Sequence, residues 1–149
     1  MLLHEVFNLK TIKIPLNGAT KEAAFMELIE AITDAYPELD RNELFAAIIE
    51  RERKMGTGIG GGAAVPHGYS KGIDNITGAI GISQGGIAYN APDNKPVHVI
   101  FMLVMSKAAQ EGHLQILSQI FRLVTSEVYP LLWNVRDSAE ARNILSRFV

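Results

Sequence analysis

A glycine-rich stretch that ends in a histidine, residues 56–68, places the strongest constraint on how this chain can fold. It reads Gly-Thr-Gly-Ile-Gly-Gly-Gly-Ala-Ala-Val-Pro-His-Gly, with five glycines ahead of His67. Glycine adopts positive φ angles and lets the backbone approach a ligand closely, whereas Pro66 fixes its own φ and restricts Val65. The stretch therefore combines free backbone N–H groups with an imidazole on a stiff support, which suits an anion such as phosphate.

Composition limits the classes of protein to which the chain can belong. Of its 149 residues, 48% are apolar and 20% are charged, which indicates a single globular domain spanning residues 1–149 and excludes a disordered chain. Because there is no cysteine, the sequence offers no disulfide, no thiolate nucleophile and no cysteine metal site. A formal net charge of -2 gives no reason to expect a nucleic-acid partner, because nucleic-acid-binding surfaces are basic.

The hydropathy pattern does not indicate a membrane segment. The longest apolar run, Val97 to Met105, is about half of the ~20 residues that span a bilayer, and it contains His98. The segment from Met1 to Glu5 has an early acidic residue and lacks the basic-then-apolar pattern of a signal peptide. We therefore expect no membrane insertion and a cytoplasmic location.

Alternating helix and strand patterns predict an α/β domain. Helices are expected where apolar residues recur at helical spacing behind a capping residue, and strands where short apolar runs lie between turn residues. The predicted strands are Thr11–Leu16, Ile76–Ser83, Ile87–Tyr89 after a turn at Gly85-Gly86, and Val97–Met105, which should be buried on both faces. The predicted helices run from Thr20 to Tyr36, from Asp40 through Arg51–Lys54 to a stop at Gly56, from His113 onward, and from Asp137 through Phe148.

Two familiar phosphate-binding motifs fail on their sequence context. A P-loop closes with Gly-Lys-Ser/Thr, but the first lysine after these glycines is Lys71. A dinucleotide-binding loop follows a strand and opens a helix, whereas these glycines follow a predicted helix and lead to Pro66. The glycine stretch is therefore not interpreted as a nucleotide site.

Two of the four histidines stand where an anion would be favoured. His67 follows the glycine stretch, and His113 lies at the predicted start of a helix, where unpaired N–H groups and the positive end of the helix dipole are found. His4 and His98 are interpreted as solvated or structural residues. The residues alone do not bring His67 and His113 together in space.

A family resemblance supplies that link. Arg51, the Thr57-Gly58-Ile59-Gly60 segment, Pro66-His67-Gly68 and the segment Gly112-His113-Leu114-Gln115-Ile116-Leu117 occur in the order and separation typical of one family. The chain resembles the type-2 enzyme IIA domain, the fructose/mannitol and nitrogen-regulatory class of the bacterial phosphoenolpyruvate-dependent phosphotransferase system. The resemblance covers nearly the whole chain and implies a three-layer α/β/α domain with a mixed β-sheet flanked by helices.

The resemblance also implies a role for each matched residue. His67 would accept a phosphoryl group from the phosphohistidine of the carrier HPr or of its nitrogen-type paralogue. His113 would bind the phosphoryl oxygens beside it, and Arg51 would balance their charge. Backbone amides of Thr57, Gly58, Ile59 and Gly60 would complete the phosphate-binding cradle. No cofactor and no metal ion are implied.

Three functions remain open on the sequence. The first is a phosphocarrier for sugar uptake that passes its phosphoryl group to the cysteine of a separate IIB domain. The second is a nitrogen-regulatory protein that selects regulatory protein partners according to the phosphorylation state of His67. The third is a metal site formed by His67, His113 and Glu111, which is disfavoured because closed zinc sites require four ligands.

Overall fold

The apolar run from Val97 to Met105 forms the central strand of the computed structural model, which describes residues 1–148. Successive side chains of this strand enter different cores: Phe101 and Leu103 belong to one apolar cluster, and Ile100 and Met102 to the other. All four side chains are fully buried. The strand is therefore covered on both faces, as its unbroken apolar sequence predicts.

Helices flank the sheet on both faces. In chain order the elements are α1 (Leu3–Val6), a 3-10 turn (Leu9–Thr11), β1 (Ile12–Lys13), α2 (Lys21–Ala35), α3 (Arg41–Lys54), β2 (Gly58–Gly60), β3 (Ala63–Ala64), β4 (His67–Tyr69), β5 (Ile76–Ile87), β6 (Val97–Met105), a second 3-10 turn (Lys107–Ala109), α4 (Gln110–Val124), α5 (Tyr129–Leu132) and α6 (Ser138–Arg147). Apolar residues of α2 and α3 cover one face of β5 and β6, and those of α1, α4, α5 and α6 cover the other.

The sheet is mixed, and β6 is its most connected strand. The strand order is β1-β5-β6-β3-β2, and β4 also pairs with β6 beyond the end of β3. The β5–β6 and β2–β3 pairs are antiparallel, whereas β1–β5, β3–β6 and β4–β6 are parallel. The predicted three-layer α/β/α architecture with a mixed sheet is confirmed.

Helix starts follow the capping residues of the sequence. The side chains of Thr20, Asp40 and Asp137 each accept the backbone N–H of the residue three positions later, at 3.1, 2.9 and 2.9 Å. Each bond satisfies one of the N–H groups that a helix start leaves unpaired. The predicted starts of α2, α3 and α6 are therefore correct.

Three strand predictions are wrong in extent. The first strand is only Ile12–Lys13: Leu9–Thr11 forms a 3-10 turn capped by the Asn8 side chain, and the strand ends before Ile14. The strands predicted at Ile76–Ser83 and Ile87–Tyr89 are one strand, β5, which contains the turn predicted at Gly85-Gly86 and ends at Ile87. The pairing of β5 with β6 shifts register between Ile82 and Ile87, where β5 has more residues than β6, and the strand continues through this irregularity.

The glycine stretch is more ordered than the sequence predicts. It contains β2, β3 and the first residues of β4, so His67 begins a short strand and does not lie in an irregular loop. Gly62 turns the chain between β2 and β3 at φ +79°, and its carbonyl accepts the N–H groups of His98 and Val99. A Cβ at Gly62 would lie 2.5 Å from Trp133 Cζ2, which is too close for any real contact.

We expect Gly62→Ala to lower the free energy of unfolding by roughly 2 kcal/mol. A left-handed backbone is unfavourable for alanine, and its Cβ would collide with Trp133. Gly85→Ala is the matched control, since a Cβ there has no atom within 4 Å. Its unfolding free energy should stay within about 0.5 kcal/mol of the parent. Urea denaturation of the three proteins measures the difference, and equal midpoints for both variants would contradict the assignment.

Candidate functional site

Strand pairing with β6 determines the position of His67. His67 is opposite Leu103, and the carbonyl of Pro66 accepts the Leu103 N–H at 2.9 Å. Further back along β6, Ala64 of β3 is opposite Ile100. Pro66 lies between β3 and β4 and has no N–H to donate to β6, so the pairing is interrupted there, and both strands still lie beside β6. His67 is consequently held at the edge of a rigid sheet.

A backbone carbonyl orients the His67 ring. The Nδ1 atom lies 3.2 Å from the carbonyl oxygen of Val65, so Nδ1–H is the donor in this contact. The other ring nitrogen, Nε2, then carries the free lone pair. Burial lowers the pKa of His67 below its usual value, the bond to Val65 opposes that shift, and the Arg51 charge adds to it. The ring is therefore neutral at physiological pH.

His113 faces His67 from a helix. The two ring centroids are 5.1 Å apart, and the ring planes are inclined at 51°. The predicted helix start at His113 is wrong by three residues, because α4 begins at Gln110 and His113 completes its first turn. Burial lowers the pKa of His113, with smaller contributions from His67 and Arg51. Within residues 1–148, the buried Nε2 atom of His113 has no hydrogen-bond partner.

Arg51 supplies a permanent positive charge to the same site. It lies in the last turn of α3, and its Nη1 donates to the carbonyl of Met55 at 2.7 Å. Its charge lowers the pKa of both His67 and His113. The two histidine rings that the family resemblance assigned to one site lie side by side, and the Arg51 charge acts on both, although the three residues come from α3, β4 and α4.

In the predicted phosphate cradle at Thr57, Gly58, Ile59 and Gly60, the donors of Thr57 already have a partner. Both the backbone N–H and the hydroxyl of Thr57 donate to the Glu52 carboxylate, at 2.9 and 2.5 Å, so neither is free for a phosphate. From Thr57 the chain runs away from His67, since Gly60 is opposite Ala63.

The rest of the glycine stretch has a structural role. Ala63 pairs with Val99 and His67 with Leu103, four residues further along β6, a distance of roughly 13 Å. At that far end, the N–H of Gly61 donates to Asp93 at 3.1 Å, and Gly62 packs against Trp133. Two N–H groups of the stretch, those of Thr57 and Gly61, therefore bind carboxylates of the same chain, Glu52 and Asp93.

Sequence reasoning missed the buried residues that support the site. Glu52 is 6% exposed, and its carboxylate contacts Lys21, Thr57 and Tyr89. In the sequence Glu52 lies within Arg51–Lys54, a run that is typical of a solvated helix end. Lys21 is 31 positions from Glu52 in the sequence, and Tyr89 is 37 positions away. No local sequence pattern therefore indicates that these side chains contact Glu52.

The described residues form neither a metal site nor a membrane-spanning helix. Residues 1–148 contain no group of three or more His, Cys, Asp and Glu side chains placed to hold a metal ion, so the alternative with Glu111 has no ligand set. None of the helices within that range is both long enough and apolar enough to cross a membrane.

Comparison with known proteins connects this geometry to one family. Residues 5–148 match the family model described as "Phosphoenolpyruvate-dependent sugar phosphotransferase system, EIIA 2". The fructose-specific EIIA component of Haloferax volcanii is 33% identical over 142 residues, which are 95% of this chain and 92% of that protein. The fructose-specific EIIABC component of Bacillus subtilis is 32% identical over 127 residues, 85% of this chain, and this chain spans only 20% of that longer protein.

A solved structure supports the same assignment. The nitrogen regulatory protein IIA-Ntr from Neisseria meningitidis superposes with a TM-score of 0.87 at 29% identity. The superposition covers 96% of this chain and 98% of that one. The similarity therefore extends over the whole fold, including the strands and helices that carry His67, His113 and Arg51.

The two neutral histidines should make folding stability depend on pH. Both pKa values are lowered in the folded protein. As the pH falls through about 6.5, the unfolded chain binds protons that the folded chain does not, and stability decreases. We expect the free energy of unfolding to fall between about pH 7.5 and about pH 5.5. A His67→Gln/His113→Gln double variant should lose less over that range in urea titrations, and an unchanged slope would contradict the assignment.

Proposed function

The chain belongs to the EIIA 2 family of the phosphoenolpyruvate-dependent sugar phosphotransferase system, whose members are phosphotransferase phosphocarriers, and we propose that His67 is its phosphoryl acceptor. The donor in this proposal is the phosphohistidine of HPr or of its nitrogen-type paralogue. The observation that carries the proposal is the His67 ring, oriented by Val65 and facing His113 at 5.1 Å.

The nucleophile in the proposed reaction is the Nε2 atom of His67. Its lone pair forms the new nitrogen–phosphorus bond as the nitrogen–phosphorus bond of the donor breaks. The Nδ1 proton stays in its bond to the Val65 carbonyl, which lies 3.2 Å from Nδ1 and stabilises the positive charge that develops on the ring. No proton has to leave Nε2, because burial and Arg51 keep the ring neutral before the reaction by lowering its pKa.

Arg51 and His113 are proposed to stabilise the transferring group. A phosphoryl group in transfer carries negative charge on three equatorial oxygens, and catalysis consists mainly of positioning it and balancing that charge. The guanidinium of Arg51 stays charged and offers several N–H donors. The unpaired Nε2 of His113, in the tautomer that carries a proton there, would donate to one of the oxygens. The phosphate-binding role that the resemblance implies for Thr57, Gly58, Ile59 and Gly60 is not part of this proposal, because the N–H and hydroxyl of Thr57 already donate to Glu52.

The downstream acceptor in this proposal is a cysteine on a IIB domain. The 149 residues contain no cysteine, so that thiol lies outside them. We propose that residues 1–149 act as one domain, with no metal or cofactor in the reaction. Because a carrier must share a compartment with its phosphoenolpyruvate-dependent donor, we also propose a cytoplasmic location.

A regulatory role is the second candidate, and the similarity to IIA-Ntr from Neisseria meningitidis favours it. In this role the phosphorylation state of His67 would determine which regulatory proteins bind. The two candidates share the phosphorylation step and differ in the next one. Transfer from phosphorylated His67 to a purified IIB cysteine would support sugar transport, whereas phosphorylation-dependent binding without transfer would support regulation.

His67→Ala should abolish phosphoryl acceptance, because it removes the only proposed nucleophile. The protein is incubated with phosphoenolpyruvate, enzyme I and HPr, or with the nitrogen-type donor pair, and its intact mass is recorded under alkaline conditions that preserve phosphohistidine. His4→Ala is the control and should accept one phosphoryl group, as the parent does. Phosphosite mapping identifies the residue, and persistent labelling of His67→Ala would refute the assignment.

His113→Ala should still accept the phosphoryl group but more slowly, by roughly tenfold to a hundredfold, because it loses one stabilising donor and keeps the nucleophile. Single-turnover measurements with phosphorylated HPr give the rate. Circular dichroism should show an unchanged fold, since His113 is only partly buried and lies in the first turn of α4. A rate equal to that of the parent would remove His113 from the mechanism.

A further inference from the structure

The buried carboxylate of Glu52 takes no part in the chemistry proposed above, yet it lies directly beside the site. Its Oε2 atom accepts the backbone N–H of Thr57 at 2.9 Å and is 3.1 Å from the ammonium of Lys21. Its Oε1 atom lies 2.5 Å from the Thr57 hydroxyl and 3.2 Å from the Tyr89 hydroxyl, and the two hydroxyl oxygens are 2.8 Å apart. A carboxylate accepts about four hydrogen bonds, so these contacts use most of its capacity. Glu52, Thr57, Tyr89 and Lys21 are called the Glu52 cluster below.

The cluster joins parts of the chain that are far apart in sequence. Glu52 lies near the end of α3, Lys21 opens α2, and Tyr89 follows β5. The Lys21 ammonium also lies 4.1 Å from the centre of the Tyr89 ring. Burial raises the pKa of the Tyr89 phenol, and the Glu52 charge raises it further, so the phenol is a hydrogen-bond donor.

A short chain of backbone contacts leads from the cluster to the imidazole. The carbonyl of Thr57 accepts the Val65 N–H at 3.0 Å. The carbonyl of Val65 in turn accepts Nδ1–H of His67 at 3.2 Å. Thr57 and Val65 are both buried, which limits their freedom to rearrange independently. The position of the Val65 carbonyl therefore depends on where Glu52 holds Thr57.

We infer that Glu52 is a positioning residue: by anchoring Thr57 it fixes the Val65 carbonyl, which keeps the proton of His67 on Nδ1 and leaves Nε2 free to react. The inference rests on the proposed function for its kinetic consequence, but the tautomer of His67 can be measured without any phosphoryl transfer. Glutamine cannot replace Glu52, because its amide has only one accepting oxygen. Its NH₂ group would face the donors of Thr57, Tyr89 or Lys21 and could accept from none of them.

The test compares four variants of the full chain. Glu52→Gln removes one accepting oxygen from the cluster, and Thr57→Val removes the donating hydroxyl. Thr57→Ser retains that hydroxyl. Asp93→Asn is the matched control, since Asp93 is also a carboxylate that accepts an N–H of the glycine stretch, at Gly61. Nitrogen-15 NMR of the histidine rings reports the tautomer of His67. Single-turnover rates at several concentrations of phosphorylated HPr give kcat and KM.

We expect the Nδ1–H tautomer of His67 in the parent, Thr57→Ser and Asp93→Asn, and a mixture of tautomers in Glu52→Gln and Thr57→Val. In the last two, kcat should fall about tenfold or more, because a small misplacement of a reacting group is costly, while KM should change less than about twofold. Should Glu52→Gln not fold, Thr57→Val against Thr57→Ser decides the question.

Two results would overturn the inference. One is a His67 tautomer in the cluster variants that matches Asp93→Asn, and the other is a mixture of tautomers with kcat unchanged. If the parent protein accepts no phosphoryl group, the proposed function fails, whereas the NMR comparison still decides the role of Glu52.

Discussion

The burial of β6 on both faces is the constraint on which the site depends. Its side chains fill both cores, so the strand cannot shift along its neighbours without moving apolar residues out of register with each core. β4 pairs with β6 and carries His67, and α4 follows β6 after a short turn and carries His113. The two histidines are therefore positioned by a strand whose side chains are held in both cores.

The charge balance of the site follows from where each group is buried. His67 and His113 are partly buried and close to Arg51, and both effects lower their pKa and keep them neutral. The negative charge of Glu52 has the opposite effect and raises the pKa of His67. Lys21 lies within 3.1 Å of that carboxylate and offsets part of its charge. A phosphoryl group on His67, as proposed, would therefore not face an unbalanced carboxylate.

Local patterns predicted most of the architecture because local physics determines it. The capping side chains of Thr20, Asp40 and Asp137 satisfy helix N–H groups three residues later. Both partners of each bond therefore lie within one short sequence segment. The continuous apolar run of β6 likewise indicates burial on both faces. The meeting of His67 with His113 could not be predicted in this way, since it depends on strand register, and family resemblance was needed to anticipate it.

The glycine stretch shows why the remaining features were missed. The density of glycine predicts a ligand cradle, but the physical requirement at Gly62 is room for Trp133 and a left-handed backbone. The N–H groups of Thr57 and Gly61 have acceptors already, in Glu52 and Asp93. Both carboxylates come from outside the stretch and reach it only through the tertiary fold. A glycine-rich sequence specifies which backbone conformations are accessible, whereas the groups that the backbone then binds are selected by contacts that only the folded chain creates.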